Sequence, residues 1–257
     1  MILNLEAPMF KLANFRFMFV EDEALRKETY RLRYQIYVEE FGFESPSDHP
    51  EGYERDIYDA HSVHFAVVDE HSGEVVGTTR VVLNSEIGFP MTKIDHISFK
   101  GAPSDLNKIM EISRFAVHTN YRRRREDLLF YGAPEMNPLD AKEILQRVPD
   151  RRKRPVLLYG IFRLLYHLSR MKGIDFWCMI SEQNLFEAVT YMGFIFHPIG
   201  LEVNFHGLRT PYIAFLDELE DYWIKEKPEF MIFLAEGLEK KYWPPKEAFH
   251  TLMTSIV

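Results

Sequence analysis

The hydrophobic and polar positions of the first hundred residues predict strands and one helix. Residues 15–20 alternate with a period of two, which is typical of a half-buried strand. Good helix formers fill residues 21–41 and predict a helix that a glycine then ends. Apolar residues at 64–69 and 74–83 predict two strands, and the short polar turn between them indicates a β-hairpin.

The second half of the chain alternates between strand and helix patterns. The predicted elements are a strand at 108–117, a helix at 155–171, a strand at 174–180, a helix at 182–192, strands at 194–199 and 211–216, and helices after 217. This order favours an α+β domain built on a largely antiparallel central sheet. We expect one domain at residues 1–216, which contains a basic insertion at 118–154, and a C-terminal helical extension at 217–257.

Composition narrows the classes of function. The 257 residues are 46% hydrophobic and 27% charged, as in soluble globular proteins. The single cysteine, Cys178, excludes an intrachain disulfide and a multi-cysteine zinc site, and Glu6 disfavours a signal peptide. The longest apolar stretch is too short for a membrane span, which needs about 20 residues. We therefore expect a cytoplasmic protein with no membrane span.

Charge is unevenly distributed along the chain. The net charge of −8 argues against nucleic acid as a partner, but residues 122–154 hold ten basic and six acidic side chains. Two basic quartets bracket this window: Arg122, Arg123, Arg124 and Arg125, and then Arg151, Arg152, Lys153 and Arg154. The window is either a solvated insertion or a docking surface for an acidic or phosphate-bearing partner.

Several short motifs occur in one order between residues 31 and 117. They are Arg33 with Tyr37 four residues on, Phe43 after Phe-Gly, the acidic pair Asp56 and Asp59, the strand residue Arg80, and Glu111-Ile-Ser-Arg114-Phe115. Together they resemble the acyl-homoserine-lactone synthases, which have the N-acetyltransferase-like (GNAT) fold. The resemblance implies a mixed, mostly antiparallel sheet flanked by helices, and transfer of an acyl group from acyl carrier protein or coenzyme A to an amine.

A later segment resembles a second group. Residues 193–200 and the turn that contains His206 and Arg209 are similar to the PEP-CTERM/exosortase-associated acyltransferases, relatives of the N-acyl amino acid synthases. This implies a medium or long acyl chain placed on a small amine acceptor, which we expect to be an amino acid. Two alternatives stay open: an acyl-homoserine-lactone (autoinducer) synthase that uses S-adenosylmethionine, and a non-catalytic module that binds acyl groups or their carrier. His206 and Arg209 either bind the acceptor carboxylate or stabilise their turn.

The charged residues of these motifs predict a neutral cluster. Its members would be Arg33, Arg80 and Arg114 against Asp56, Asp59 and Glu111. Such a cluster tolerates partial burial when it is paired and hydrogen-bonded. It either forms one wall of a substrate pocket, together with Tyr37 and Phe43, or is a structural ion-pair network.

The catalytic residues expected on the 108–117 strand are Glu111, Arg114, Phe115 and Val117. An amine is protonated at neutral pH, so Glu111 would act as its base, directly or through a water. Backbone N–H groups around Phe115 to Val117 would stabilise the oxyanion of the tetrahedral intermediate. Because Glu111 and Arg114 are an odd number of residues apart, a regular strand would place them on opposite faces, and we predict a bulge between them.

The donor is expected to be acyl carrier protein. The coenzyme A signature of this fold, Arg/Gln-x-x-Gly-x-Gly/Ala, is missing after His118, whereas the basic quartets suit an acidic protein that carries a phosphopantetheine arm. Acyl-coenzyme A remains the alternative donor, and no permanently bound cofactor is expected. No metal site is expected either, because His61 and His64 lack an obvious third ligand.

Overall fold

The computed structural model describes residues 9–94, 104–121 and 154–254. Nine strands lie in these segments: β1 (Met9–Leu12), β2 (Phe15–Phe19), β3 (Ser62–Asp69), β4 (Val75–Leu83), β5 (Ile109–Val117), β6 (Phe176–Ser181), β7 (His197–Pro198), β8 (Val203–Asn204) and β9 (Leu208–Phe215). The α-helices there are α1 (Glu23–Tyr34), α2 (Arg154–Lys172), α3 (Gln183–Tyr191), α4 (Leu216–Glu226), α5 (Pro228–Ala235) and α6 (Glu247–Thr254).

The strands form one mixed sheet in the order β1-β2-β3-β4-β5-β6-β9-β7, and β8 pairs with β9. β5 and β6 are parallel, from Ile109 opposite Phe176 to Ile112 opposite Met179. The β1–β2, β2–β3, β6–β9, β7–β9 and β8–β9 pairs are antiparallel. The predicted α+β class with a mostly antiparallel sheet is confirmed.

The first predicted helix begins where expected but ends differently. Asp22 caps α1, and its side chain accepts a hydrogen bond from Leu25 N at 2.9 Å. After Tyr34 the chain continues as a π-helix over Gln35–Glu40, a wider turn that is uncommon and often found at functional sites. The hairpin of β3 and β4, the α2 helix and the β6 strand lie close to their predicted positions.

The chain divides into two compact units. Unit 1 comprises Met1–Asp56, His64–Arg80 and Arg114–Tyr166, and unit 2 comprises Ile57–Val63, Val81–Ser113 and His167–Val257. The predicted domain from 1 to 216 and the extension from 217 to 257 stay predictions. Residues 122–153, most of the predicted basic insertion, lie outside the described part of the chain.

Each unit has an apolar core. In unit 1, Phe15, Phe17 and Phe65 are fully buried, and α1 packs Leu32 with Ile36 and Ala116. In unit 2, a cluster joins several strands and the turn before β5: Tyr58, Val82, Phe89, Met91, Ile109, Cys178, Ile199 and Ile213. Ile109 joins the start of β5 to this apolar cluster.

Candidate functional site

A buried carboxylate, Glu54, joins two arginines in unit 1. Its Oε2 accepts a hydrogen bond from Arg33 Nε at 2.5 Å, and its Oε1 accepts one from Arg114 Nε at 3.0 Å. The side chains of Arg33 and Glu54 are each 1% exposed. Burial by itself raises the pKa of Glu54, but the guanidinium groups of Arg33 and Arg114 outweigh it and hold that pKa below its ordinary value. Glu54 is therefore a permanent anion near neutral pH.

Two more carboxylates complete this cluster. Arg114 Nη2 lies 3.2 Å from Glu44 Oε1 and 3.4 Å from Asp56 Oδ2. Asp56 in turn accepts hydrogen bonds from both terminal nitrogens of Arg80, at 2.5 and 2.7 Å, so the two side chains form a bidentate pair. Arg33, Arg80 and Arg114 thus meet Glu44, Glu54 and Asp56, and the charges balance.

The printed contacts of this charged cluster bear on part of the prediction. The three arginines and Asp56 are brought together as expected, and Glu44 and Glu54 join them, which the sequence did not suggest. The places of Asp59, which begins a short 3₁₀ turn, and of Glu111 in this cluster stay predictions. Glu54 precedes Asp56 by two residues in a loop without periodicity, so the sequence offered no signal for choosing between its acids.

Aromatic contacts attach the π-helix to the last part of β5. The hydroxyl of Tyr37 donates a hydrogen bond to the carbonyl oxygen of Phe115 at 2.8 Å. The guanidinium of Arg114 lies over the Tyr37 ring at 5.5 Å from its centroid, and the Tyr37 and Phe43 rings are 6.3 Å apart. The structure therefore brings Tyr37 and Phe43 to the charged cluster, as the substrate-wall hypothesis requires.

Strand β5 is irregular at Arg114. This residue has a φ of 52°, in the left-handed region that residues other than glycine rarely adopt. Such a conformation interrupts the alternation of side chains along a strand. A break at this place is what the predicted bulge between Glu111 and Arg114 required.

Glu111 is buried in unit 2. Its side chain is 3% exposed, and Oε2 accepts a hydrogen bond from the backbone N–H of Met91 at 2.9 Å. In the register of β5 and β6 it pairs with Cys178. Burial, together with the negative charge of Glu111, raises the pKa of the Cys178 thiol far above its ordinary value. The cysteine is thus a neutral thiol, and the role of Glu111 as a base stays a prediction.

His206 lies in the turn between β8 and β9, and Arg209 is the second residue of β9, opposite Val203. His206 has a φ of 54° and Gly207 a φ of 100°, which makes the turn tight. Arg209 Nη2 lies 3.4 Å from the carbonyl oxygen of His206, a weak contact from the strand to the turn. Both roles of this pair, acceptor binding and stabilisation of the turn, stay predictions.

The basic quartets can be placed only by sequence. Arg122, Arg123, Arg124, Arg125, Arg151, Arg152 and Lys153 lie outside the described residues, and Arg154 begins α2. Unit 1 has a cleft of about 500 Å³, which is lined by Gln35, Ile36, Glu39, Glu40, His118 and Thr119. No motif in the sequence pointed to a cleft at these residues. Four of them belong to the π-helix.

Neither a metal-binding cluster nor a membrane-spanning helix is present in the part of the chain that the structure describes. Within it, no group of three or more histidine, cysteine or acidic side chains is arranged to hold a metal ion. None of the helices in residues 9–94, 104–121 and 154–254 is both long and apolar enough to cross a membrane.

Comparisons with known proteins agree with this geometry. Residues 32–131 match the family model of the acetyltransferase (GNAT) domain, a span that contains the charged cluster and Glu111. Comparison with curated proteins gave no match. The solved structure of the AHL synthase LasI is similar with a TM-score of 0.54 at 19% identity, covering 91% of this chain and 98% of LasI.

Two further solved structures have the same fold. The CoA-dependent acyl-homoserine lactone synthase MesI has a TM-score of 0.53 at 18% identity, over 84% of this chain and 88% of its own. FeeM, an N-acyl amino acid synthase from uncultured soil microbes, has a TM-score of 0.50 at 14% identity, over 80% and 93%. The fold is therefore the GNAT fold, as predicted. The domain match and this fold support an acyltransferase, and the chain is similar in fold to acyl-homoserine-lactone and N-acyl amino acid synthases.

Proposed function

We propose that the protein is an N-acyltransferase that moves a medium or long acyl chain from a thioester to the amine of a small acceptor, with an amino acid as the expected acceptor. The observation that carries the proposal is the environment of Glu111. This carboxylate is 3% exposed, is oriented by Met91 N–H and lies on a strand surrounded by apolar side chains. Burial in such surroundings is how enzymes adapt a carboxylate for proton transfer.

The reaction is a direct attack on the thioester. Glu111, alone or through a water, takes a proton from the ammonium group of the acceptor, and the free amine attacks the acyl carbonyl carbon. A C–N bond forms, the C–S bond breaks, and the phosphopantetheine thiol leaves with a proton. N–H groups of Phe115 to Val117 supply the donors for the oxyanion, a contribution that typically exceeds 10²-fold in rate per donor.

The charged cluster has a different part in the proposal. Its six charges cancel, so it can form a rigid polar wall without a net field that would repel an anionic donor or a cationic acceptor. Tyr37 and Phe43 supply the apolar surface of this wall. Its partly exposed charges are those of Arg114, Glu44 and Asp56, whose side chains are 17%, 25% and 27% exposed. His206 and Arg209 are proposed to bind the acceptor carboxylate.

The donor proposal is acyl carrier protein, with acyl-coenzyme A as the alternative. The two basic quartets attract both the acidic surface of a carrier protein and the phosphate of its arm. A cytoplasmic location, where acylated carriers are available, is part of this proposal. The link to PEP-CTERM/exosortase systems likewise stays a proposal, based on residues 193–212.

The test is product analysis. The purified protein is incubated with acylated carrier protein or acyl-coenzyme A and a pool of amino acids, with and without S-adenosylmethionine, and the products are identified by mass spectrometry. An N-acyl amino acid that forms without S-adenosylmethionine supports the proposal. A lactone that forms only with S-adenosylmethionine supports the autoinducer synthase instead, which the likeness to LasI and MesI favours as the second candidate.

A second test asks whether the first basic quartet binds the carrier protein. Reversal of the charge of Arg122 to Arg125 is expected to raise KM for the acylated carrier protein at least tenfold and to change KM for a short acyl-pantetheine little, because only the carrier protein has an acidic surface. The control reverses exposed lysines of unit 2, Lys225 and Lys241. Binding of the carrier without any product across all donors would favour the non-catalytic module.

A further inference from the structure

The left-handed backbone of Arg114 needs an explanation from its surroundings. A φ of 52° costs free energy for a side chain with a Cβ atom, so contacts around the residue must maintain it. Arg114 is not in a turn but inside β5, at the place where the strand is irregular. The contacts of its guanidinium group are therefore the candidates for maintaining this conformation.

Glu54 is the most buried of the three carboxylates that contact this guanidinium. Its backbone N–H donates to the carbonyl oxygen of Tyr30 in α1 at 3.2 Å, and Arg33 of the same helix holds its second carboxylate oxygen at 2.5 Å. Its side chain is 1% exposed. Glu44, the other glutamate on Arg114, is 25% exposed. Helix α1 thus fixes Glu54, and Glu54 fixes Arg114 Nε.

The peptide groups after Arg114 depend on this arrangement. The backbone torsions of Arg114 set the direction of the Phe115 N–H. The Phe115 carbonyl and the Ala116 N–H belong to one planar peptide group, and the hydrogen bond from the Tyr37 hydroxyl to this carbonyl sets the orientation of that group. If Arg114 returned to an extended backbone, the plane that carries the Phe115 N–H would turn.

We propose that Glu54 is a positioning residue for acyl transfer: by holding Arg114 in its left-handed conformation, it aims the N–H groups of Phe115 and Ala116 at the developing oxyanion. This inference rests on the proposed function. Glu54 does not touch the substrate in this scheme, so it acts on the transition state alone. A misplacement of the donors by about 1 Å lowers the rate by about 10²-fold and leaves ground-state binding largely intact.

The test compares Glu54→Gln with Glu28→Gln, which removes a carboxylate from Arg31, a half-exposed arginine of the same helix α1. For Glu54→Gln, kcat falls about 10²-fold while KM for donor and acceptor stays within about threefold. For Glu28→Gln, kcat stays within about threefold of the wild type. The crystal structure of Glu54→Gln shows Arg114 with a negative φ. Unchanged kcat in folded Glu54→Gln, or equal losses in both variants, overturns the proposal.

Two further measurements keep the test decisive. If Glu54→Gln does not fold, Tyr37→Phe removes the hydroxyl from the Phe115 carbonyl and leaves the ion pairs in place. Its kcat must then fall about tenfold, and an unchanged kcat overturns the role of these peptide groups. If the wild-type protein transfers no acyl group, the proposed function fails. A positive φ at Arg114 in the Glu54→Gln structure would separately refute the positioning by Glu54.

Discussion

Glu111 and Cys178 are direct partners in the parallel register of β5 and β6. The pair places a buried carboxylate beside a buried thiol, and the pKa of the thiol is raised by burial first and by the charge of Glu111 second. A neutral thiol is neither a nucleophile nor a metal ligand. The thiol of this pair therefore carries no charge near neutral pH.

Cys178 is predicted to be unreactive in the folded protein. Because the thiolate is the reactive species and the side chain is fully buried, a thiol reagent at pH 8 should label less than a tenth of the protein in the time that labels the urea-unfolded protein completely. Mass spectrometry of the intact chain counts the labels. Rapid labelling of the native protein would show that this part of unit 2 opens readily.

Glu111→Gln is predicted to lower kcat for acyl transfer by 10²- to 10³-fold, the usual contribution of a general base. The amide keeps an oxygen that can accept the Met91 N–H, so the melting temperature should change little. Raising the pH should partly restore the activity of the variant, because the free amine then forms without a base. Loss of activity that no pH restores would indicate a structural role for Glu111.

The sequence was most informative where a local rule acts on few residues. The predicted helix start at residue 21 lies within two residues of the start of α1, because the capping side chain of Asp22 needs only the N–H three residues on. The end of α1 was not predictable. The π-helix is defined by bonds such as Phe41 N to Ile36 O, and the same apolar pattern fits an α-helix.

Other differences have equally physical causes. β1 was missed because its turn to β2 uses Ala13 at a φ of 54°, and alanine gives no turn signal. The motifs named the three arginines and Asp56 correctly as neighbours. They could not name Glu54, because a loop without periodicity does not reveal which of its acids faces inward. Tertiary contacts with α1 decide that choice.

Gly160→Ala is predicted to destabilise the protein by about 1–3 kcal/mol, although the same change usually stabilises a helix. A Cβ atom at Gly160 in α2 would lie 2.1 Å from Cε1 of Phe17, a ring that is fully buried. Urea unfolding measures the change. Phe17→Leu should make Gly160→Ala less costly, and strictly additive effects of the two substitutions would contradict a direct clash.

The ion pairs of Glu54 are predicted to make stability depend on acid. The pKa of Glu54 is lowered in the folded protein from its ordinary value of 4.5, so the unfolded chain takes up a proton first as the pH falls. The stabilisation is therefore complete above pH 4.5 and is lost as the pH falls through the lower folded pKa. At pH 7, Glu54→Gln leaves Arg33 buried beside a neutral group and should cost about 3 kcal/mol.

The matched control for this prediction is Glu28→Gln on α1. Glu28 pairs with Arg31 at 3.0 Å, but both side chains are about half exposed, so its removal should cost less than about 1 kcal/mol. Unfolding in urea is measured for both variants between pH 7 and about pH 3. The difference between wild type and Glu54→Gln should shrink below pH 4.5, because the wild-type carboxyl becomes neutral as well. A difference that is constant over this range would mean that the amide disturbs packing and that the charge of Glu54 contributes little.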